Sequence, residues 1–402
     1  MIVAVVFVAF VFAALAGSMM RLYVNWDISL PDNKKIYNGY LKEDYSLGSK
    51  TKAAISTVNK VWNDGIVFKN EMINIFGLFQ KIVGSRYVYD SAAPDLDVVK
   101  LDNGALTFIW PKVQNVKEKA EKISELNTCL KKRNINLLYI QAPYKINRSD
   151  KKLPAGVYDY TNENSDKMLS KLKERGVPTF DLREEIVKDG LDYDSLFFRT
   201  DHHWTPETGL WATSAICGRL NNDYGFKIDM SLLDKSNFSK NMYKNFFLGS
   251  VGKRVGKYYG GMDDFGLVLP KYKTDFSCSY YIPGKKNLTK SGSFKDAQVF
   301  MEELSKKDKF LLNAYGAYSG GDYALSVCIN NKISGKRILL LRDSYSCVIS
   351  PFLSLAACKE LYAVDPRLFK GSIKDYIIEL RPDIVLMLYN PGALADPVFF
   401  NF

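Results

Sequence analysis

The stretch TDHHWTP, residues 200–206, holds His202 and His203, the only two histidines of a 402-residue chain. Histidine is the side chain whose unperturbed pKa suits proton transfer near neutrality. Imidazole chemistry is therefore confined to one dipeptide, bracketed by Asp201 and Trp204. In an extended segment residues i and i+2 share a face, so Asp201 and His203 project together and His202 turns away. A carboxylate that holds one ring nitrogen leaves the other free to take a proton from a serine, as in a Ser-His-Asp triad. The alternative is a pair of structural histidines. Thr205 reads as a helix N-cap with Pro206 at the first helical position, which fixes the motif just ahead of a helix. Trp204 is expected to pack and hold the segment, with stacking on substrate as its alternative role.

A partner hydroxyl is best sought at the end of a buried strand, because loops and helix N-termini converge at the carboxyl edge of a parallel sheet. Ser344, in ILLLRDSYS, follows an apolar run and precedes a helical stretch. Such a serine can expose its hydroxyl beside backbone N–H groups aimed at a developing oxyanion. The plainer reading is that Asp343 and Ser344 only cap the following helix.

The elements that position these residues follow from periodicity. NVKEKAEKISELNTCLKKRN reads as a helix leading to the strand INLLYIQAP, and ENSDKMLSKLKERG as a helix that stops at Gly176 before VPTFDL. The pattern returns as KRILLL, a helical stretch over 345–358, KELYAVD, the helix GSIKDYIIEL and the strand PDIVLMLYN. Short apolar runs alternating with helices describe strands buried on both faces of a parallel sheet, five of them here. Residues 223–330, richer in Gly, Tyr, Lys and Ser, lack clean periodicity and read as a large insertion carrying short strands of its own.

Composition bounds the rest. With 47% hydrophobic and 25% charged residues the chain buries a real core. Lys and Arg exceed Asp and Glu by 55 − 44 = 11, so the surface attracts anions. The basic residues are scattered, which argues against nucleic acid as a partner. Six cysteines lack CxxC pairs, and no ligand spacing supports a zinc site. The opening MIVAVVFVAFVFAALAGSMM has no charged side chain before Arg21 and is long enough to span a bilayer. Residues 1–20 are expected to be a transmembrane anchor or, given ALAG at 14–17, a cleaved signal peptide. Either reading places residues 27–402 outside the cytoplasm. Residues 21–84 are expected to be a stalk and helical region, and 85–402 the main domain.

TDHHW, the strand-end DSY, AVDPR and the closing VLMLYN together resemble the DHHW family of SGNH-hydrolase-like proteins, relatives of the alginate O-acetyltransferases. The resemblance in motif order runs from about residue 85 to the end. It implies an SGNH-hydrolase-like, flavodoxin-like parallel sheet with helices on both faces. It implies Asp201 as orienter, His203 as general base and Ser344 as nucleophile, in an order in which Asp-x-His precedes the serine. It also implies Arg367, Tyr389 and Asn390 on the oxyanion or substrate side, where Arg342, standing where the family usually has glycine, and Trp204 are counted too.

The resemblance implies an extracytoplasmic O-acyltransferase, in first place an O-acetyltransferase, that modifies a cell-surface polysaccharide through an acyl-serine. It requires no cofactor. Its acyl donor would come from a membrane-bound O-acyltransferase partner. A carbohydrate esterase using the same triad, and a catalytically silent polysaccharide-binding or assembly protein, are the alternatives.

Overall fold

The computed structural model describes residues 2–25, 31–41, 46–90, 96–148, 153–282 and 286–402. Two compact units divide the chain, Met1–Ile75 and Phe76–Phe402. The first unit contains α1 (Ile2–Asn25), α2 (Pro31–Leu41) and α3 (Leu47–Gly65), and α4 (Lys69–Ile82) begins within it. Ser46 caps α3 by accepting the Ser49 N–H. The stretch expected as a stalk therefore carries α2. Among the described residues no helix is long and apolar enough to cross a membrane. The side chains of residues 1–11, on which the anchor expectation chiefly rests, lie outside the described residues.

The second unit opens with a small antiparallel sheet, β1 (Tyr87–Val88), β2 (Val98–Lys100) and β3 (Leu106–Thr107). The alternating pattern follows as α5 (Val116–Lys131), β4 (Asn136–Gln141), α6 (Thr161–Glu174), β5 (Thr179–Asp181), α7 (Leu182–Lys188) and α8 (Pro206–Tyr224). Next come β6 (Phe238–Phe247), α9 (Gly252–Val255), α10 (Lys257–Gly260) and β7 (Asp263–Pro270), the two strands forming an antiparallel pair. Then follow β8 (Phe276–Tyr281), β9 (Leu288–Gly292), α11 (Phe294–Gln298), α12 (Glu302–Ser305) and β10 (Leu325–Asn330). The chain closes with β11 (Arg337–Arg342), α13 (Ile349–Ala356), β12 (Glu360–Val364), α14 (Ile373–Leu380) and β13 (Ile384–Tyr389).

Eight of these strands form the central sheet, in the order β5-β4-β13-β11-β12-β10-β8-β9. The first five are mutually parallel and are the five that the apolar runs mark. The other three come from the segment read as an insertion. They extend the sheet instead of lying on it, because β10 pairs antiparallel with β12 in the register Leu325↔Val364.

The parallel strands read as unbroken apolar runs because both their faces are covered. Ile338, Leu340, Leu386 and Leu388 join one core with side chains of α7, α8 and α13. Their neighbours Leu339, Leu341, Val385 and Met387 join the other with α5, α6 and α14. Each such side chain removed from water contributes about 1.5–3 kcal/mol. Within the antiparallel half, Cys278 and Cys328 lie opposite one another on β8 and β10 and are joined by a disulfide. The site residues gather at the carboxyl edge of the parallel strands, the edge at which open α/β sheets bind ligands.

Candidate active site

The histidine motif lies in a closed loop, not in an extended run. Phe197 and Trp204 form an isolated antiparallel bridge, and Phe198 N–H donates to His203 O at 3.2 Å. Inside the loop one oxygen of Asp201, Oδ1, accepts both the backbone N–H of His203 at 2.9 Å and its Nδ1–H at 2.6 Å. Asp201 and His203 are thus brought together by an aspartate bonding the backbone two residues on. The expected strand alternation does not operate, and its corollary fails with it. His202 does not turn away, and its ring packs on His203 with centroids 3.7 Å apart. Thr205 caps α8 by accepting the Thr208 N–H, with Pro206 in its first turn, as the sequence indicates.

Ser344 follows β11 and opens a short 3-10 turn. Its Oγ lies 2.9 Å from His203 Nε2. With Nδ1 donating to the carboxylate, Nε2 is the acceptor of the serine proton, so Asp201, His203 and Ser344 form one directional chain. Asp343 does cap that turn, accepting Tyr345 N–H at 2.9 Å. Its second oxygen accepts Asn390 N–H at 2.7 Å, which ties the ends of β11 and β13 together. Capping and exposure of the serine are therefore not competing readings, since Asp343 caps and leaves Ser344 on the cleft.

Burial works against ionisation of Asp201, but His203, by charge and by hydrogen bond, and the Ser250 N–H outweigh it and hold its carboxyl well below the usual carboxylate range. Burial, then the neighbouring His203, push His202 down to about 3, so it is neutral at physiological pH. Burial pushes Lys145 down to about 8, although Asp263 and Asp201 pull the other way. Lys145, just beyond β4, donates to Leu106 O at 2.7 Å and to Asp201 O, clamping the loop from below. Burial also pushes Asp343 up to about 6 against the pull of Arg367. The ligand atoms of Asp201, His202 and His203 lie within 4.8 Å of one another, close enough to raise the question of a metal. Both Asp201 oxygens are already accepting N–H donors, and His203 Nδ1 needs its proton to bond one of them, so this set serves hydrogen bonding and does not offer free ligands.

Ser344 opens into a cleft of about 440 Å³ whose walls include Phe108, Trp110, His202, Arg367, Asn390 and Phe399. Two of the residues expected on the oxyanion or substrate side, Arg367 and Asn390, lie there. The Arg367 guanidinium is held by Asp365 at 2.6 Å and Asp322 at 2.8 Å. The carbonyl end of the Asn390 side chain accepts Gly392 N–H, leaving its amide nitrogen as a donor. The other three are corrections. Trp204 is fully buried, with Nε1 donating to Tyr345 O at 2.9 Å, so it packs and does not stack on substrate. Tyr389 belongs to the core layer beneath the sheet, against Phe399 at 4.9 Å. Arg342 continues the inward alternation of β11, where its guanidinium bonds Gly321 O at 2.8 Å and Asp322 at 3.3 Å. It fills no part of the cleft.

Two groups of the site carry no signal in the sequence. Ser250, from the loop between β6 and α9, donates its N–H to Asp201 Oδ2 at 2.6 Å and bonds His202 Nδ1 through Oγ at 2.7 Å. Its neighbour Gly249 is required there, since a Cβ would stand 2.3 Å from the Asp201 Cβ. Tyr315 stacks on His203 at 3.9 Å with planes 10° apart, fixing the ring's tilt. Only the glycine-rich texture of 249–261 hints that backbone approaches something closely.

The fold is a mixed α/β one of SGNH-hydrolase-like type, with Asp201, His203 and Ser344 at the carboxyl edge of its parallel strands. Residues 109–234 match the family described as the SGNH hydrolase-like domain of the acetyltransferase AlgX, a segment that contains Asp201 and His203 but ends before Ser344. Among solved structures, two of Bacillus cereus PatB1, one with a sulfonyl adduct, align over 75% of this chain and 97% and 98% of theirs. Their TM-scores are 0.62 and 0.63 at 20% and 21% identity. A DHHW family protein from Eubacterium siraeum aligns over 76% of this chain and 95% of its own, with a TM-score of 0.56 and 18% identity. No curated protein sequence matches the chain. The likeness in solved structures is one of fold, and together with the family match it bears out the resemblance that the motifs carry.

Proposed function

We propose that the protein is an extracytoplasmic O-acyltransferase that moves an acyl group, in first place acetyl, onto hydroxyls of a polysaccharide. The observation that carries this reading is the hydrogen-bonded chain Asp201–His203–Ser344 opening onto a cleft. In the first step Ser344 Oγ attacks the acyl carbonyl and its proton passes to His203 Nε2. The tetrahedral intermediate collapses, the donor oxygen leaves with that proton, and the acyl group remains as a serine ester. A sugar hydroxyl then attacks the ester and gives its proton to His203. Ser344 leaves and recovers that proton. Asp201, held as a carboxylate, stabilises the imidazolium in both halves, and the Asn390 amide donates to the oxyanion.

The Cys278–Cys328 disulfide supports residence in an oxidising compartment, reached through the N-terminal segment whether that segment is retained or removed. Acetyl-CoA is not expected there, so the donor would be handed over by a membrane-bound O-acyltransferase. The hydrogen-bonded serine argues against a silent binding protein.

The test is mass spectrometry of residues 27–402 after incubation with an activated acetyl ester, with and without oligosaccharide. A mark on Ser344 that moves to sugar, and its loss in Ser344→Ala, is the expected result. Turnover to free acetate alone would make the protein an esterase. Equal turnover by Ser344→Ala would overturn both.

A further inference from the structure

His202 has no part in the proton chain, yet it lines the cleft beside Ser344 with 22% of its side chain exposed. Its Nδ1 is taken by Ser250 Oγ, and among the described residues its Nε2 has no protein partner. Both histidine rings turn their Nδ1 edges toward the same Asp201 oxygen, at 2.6 Å for His203 and 3.8 Å for His202. His203 Nε2 meets Ser344 Oγ at 2.9 Å, and the His202 ring, which lines the same cleft, packs beside His203 with ring centres 3.7 Å apart. The Asp201 carboxylate oxygen 3.8 Å from His202 Nδ1 favours the tautomer with the proton on Nδ1, in which Nδ1–H donates to Ser250 Oγ. The same tautomer leaves Nε2 with a bare lone pair.

We infer that His202 is a specificity-determining residue whose Nε2 accepts a hydrogen bond from the hydroxyl next to the one that attacks, so that the site is built for a vicinal diol. The inference rests on the acyl-transfer reading above and deepens it. The attacking hydroxyl has one proton, and that proton goes to His203 Nε2. A hydroxyl on the neighbouring carbon needs an acceptor of its own, and the second imidazole, packed with its centre 3.7 Å from that of the first, supplies one. Water and isolated alcohols make the first contact but not the second. His202 stays neutral because burial and His203 both oppose its protonation, so the acceptor persists through the working pH range. One such hydrogen bond is worth about threefold to tenfold in rate.

The experiment loads the wild-type protein with acetyl from an activated ester and offers trans-1,2-cyclohexanediol or cyclohexanol, measuring transfer to each. The expected wild-type preference for the diol, corrected for its two hydroxyls, is up to about tenfold. His202→Phe keeps an aromatic ring against His203 but removes the lone pair, and should bring that preference to about one. His202→Gln, whose amide oxygen can accept, should recover part of it. A purely structural role would lower both acceptors by the same factor and leave the ratio where it was, which overturns the inference. So would a wild-type protein without preference. The acyl-transfer reading fails separately, on Ser344→Ala retaining ester turnover.

Discussion

The two halves of the central sheet contribute to the site in different ways. The parallel half delivers groups from its strand ends: Lys145 after β4, Ser344 after β11, Arg367 after β12 and Asn390 after β13. The segment that forms the antiparallel half gives no reacting group to the proton chain, yet Ser250, Tyr315 and Asp322 brace what the other half presents. Ser344 is placed by backbone geometry, since strand and turn fix its Cα and Asp343 locks the turn. His203 is placed by the Asp201 carboxylate, itself held by the Ser250 N–H, and by the ring of Tyr315. Positions set by backbone tolerate substitution around them better than positions set by a convergence of side chains, and the two halves should differ in this way.

The largest effect that tests this division is loss of the His203 imidazole. His203→Ala should lower turnover by about 10⁴-fold, with the binding of oligosaccharide retained, as steady-state kinetics and calorimetry would register. A loss under about tenfold would remove His203 from the chain of proton transfer.

On the antiparallel side, the bond between Cys278 and Cys328 closes a loop of sequence separation 50. Replacing both residues with Ala should cost about 4 kcal/mol in denaturant unfolding under non-reducing conditions. If Tyr315 and Asp322 depend on this half, activity should fall together with stability. Unchanged activity at lowered stability would separate the two halves further.

Asp343 tests the parallel side through pH. Its folded value of about 6 lies above the ordinary carboxyl range. Below about pH 4 both folded and unfolded chains hold the proton and its contribution is complete. Between about pH 4 and 6 the unfolded chain loses the proton while the native one keeps it, so stability falls with rising pH, by about 3 kcal/mol in all. Asp343→Asn should flatten that window relative to wild type in thermal unfolding followed across pH. A variant with the same slope would place the dependence elsewhere.

The smallest expected effect is at the junction of the halves. Gly249→Ala puts a methyl against Asp201 and should cost about 1–3 kcal/mol by forcing the loop to shift. Because the shifted loop also carries Ser250, kcat should fall by more than KM changes. A stable variant with wild-type kinetics would show that the brace is dispensable.

The parallel strands were legible because burial on both faces leaves an unbroken apolar run, as in ILLL and IVLML, bounded by helices with plain caps. Asp201, His203 and Ser344 were legible because their types are scarce or sit at a strand end. The antiparallel strands were not. β9, Leu288–Gly292, has no buried residue in its burial pattern, and such an edge strand leaves no periodic signal. Arg367 and Asn390 could be placed at the cleft by resemblance, but the same resemblance put Tyr389 and Arg342 there, and side-chain alternation sends both into the core.

By itself the sequence determined the class of fold, the confinement of imidazole to one loop and the strand end that carries the serine, because local periodicity and residue type are properties of the chain. Only the tertiary structure decided that His202 faces the cleft, that Ser250 and Tyr315 hold the two imidazoles, and that His203 meets a serine 141 residues away. Those contacts join segments whose separation leaves no trace in local pattern, and they exist only once both cores have closed around the sheet.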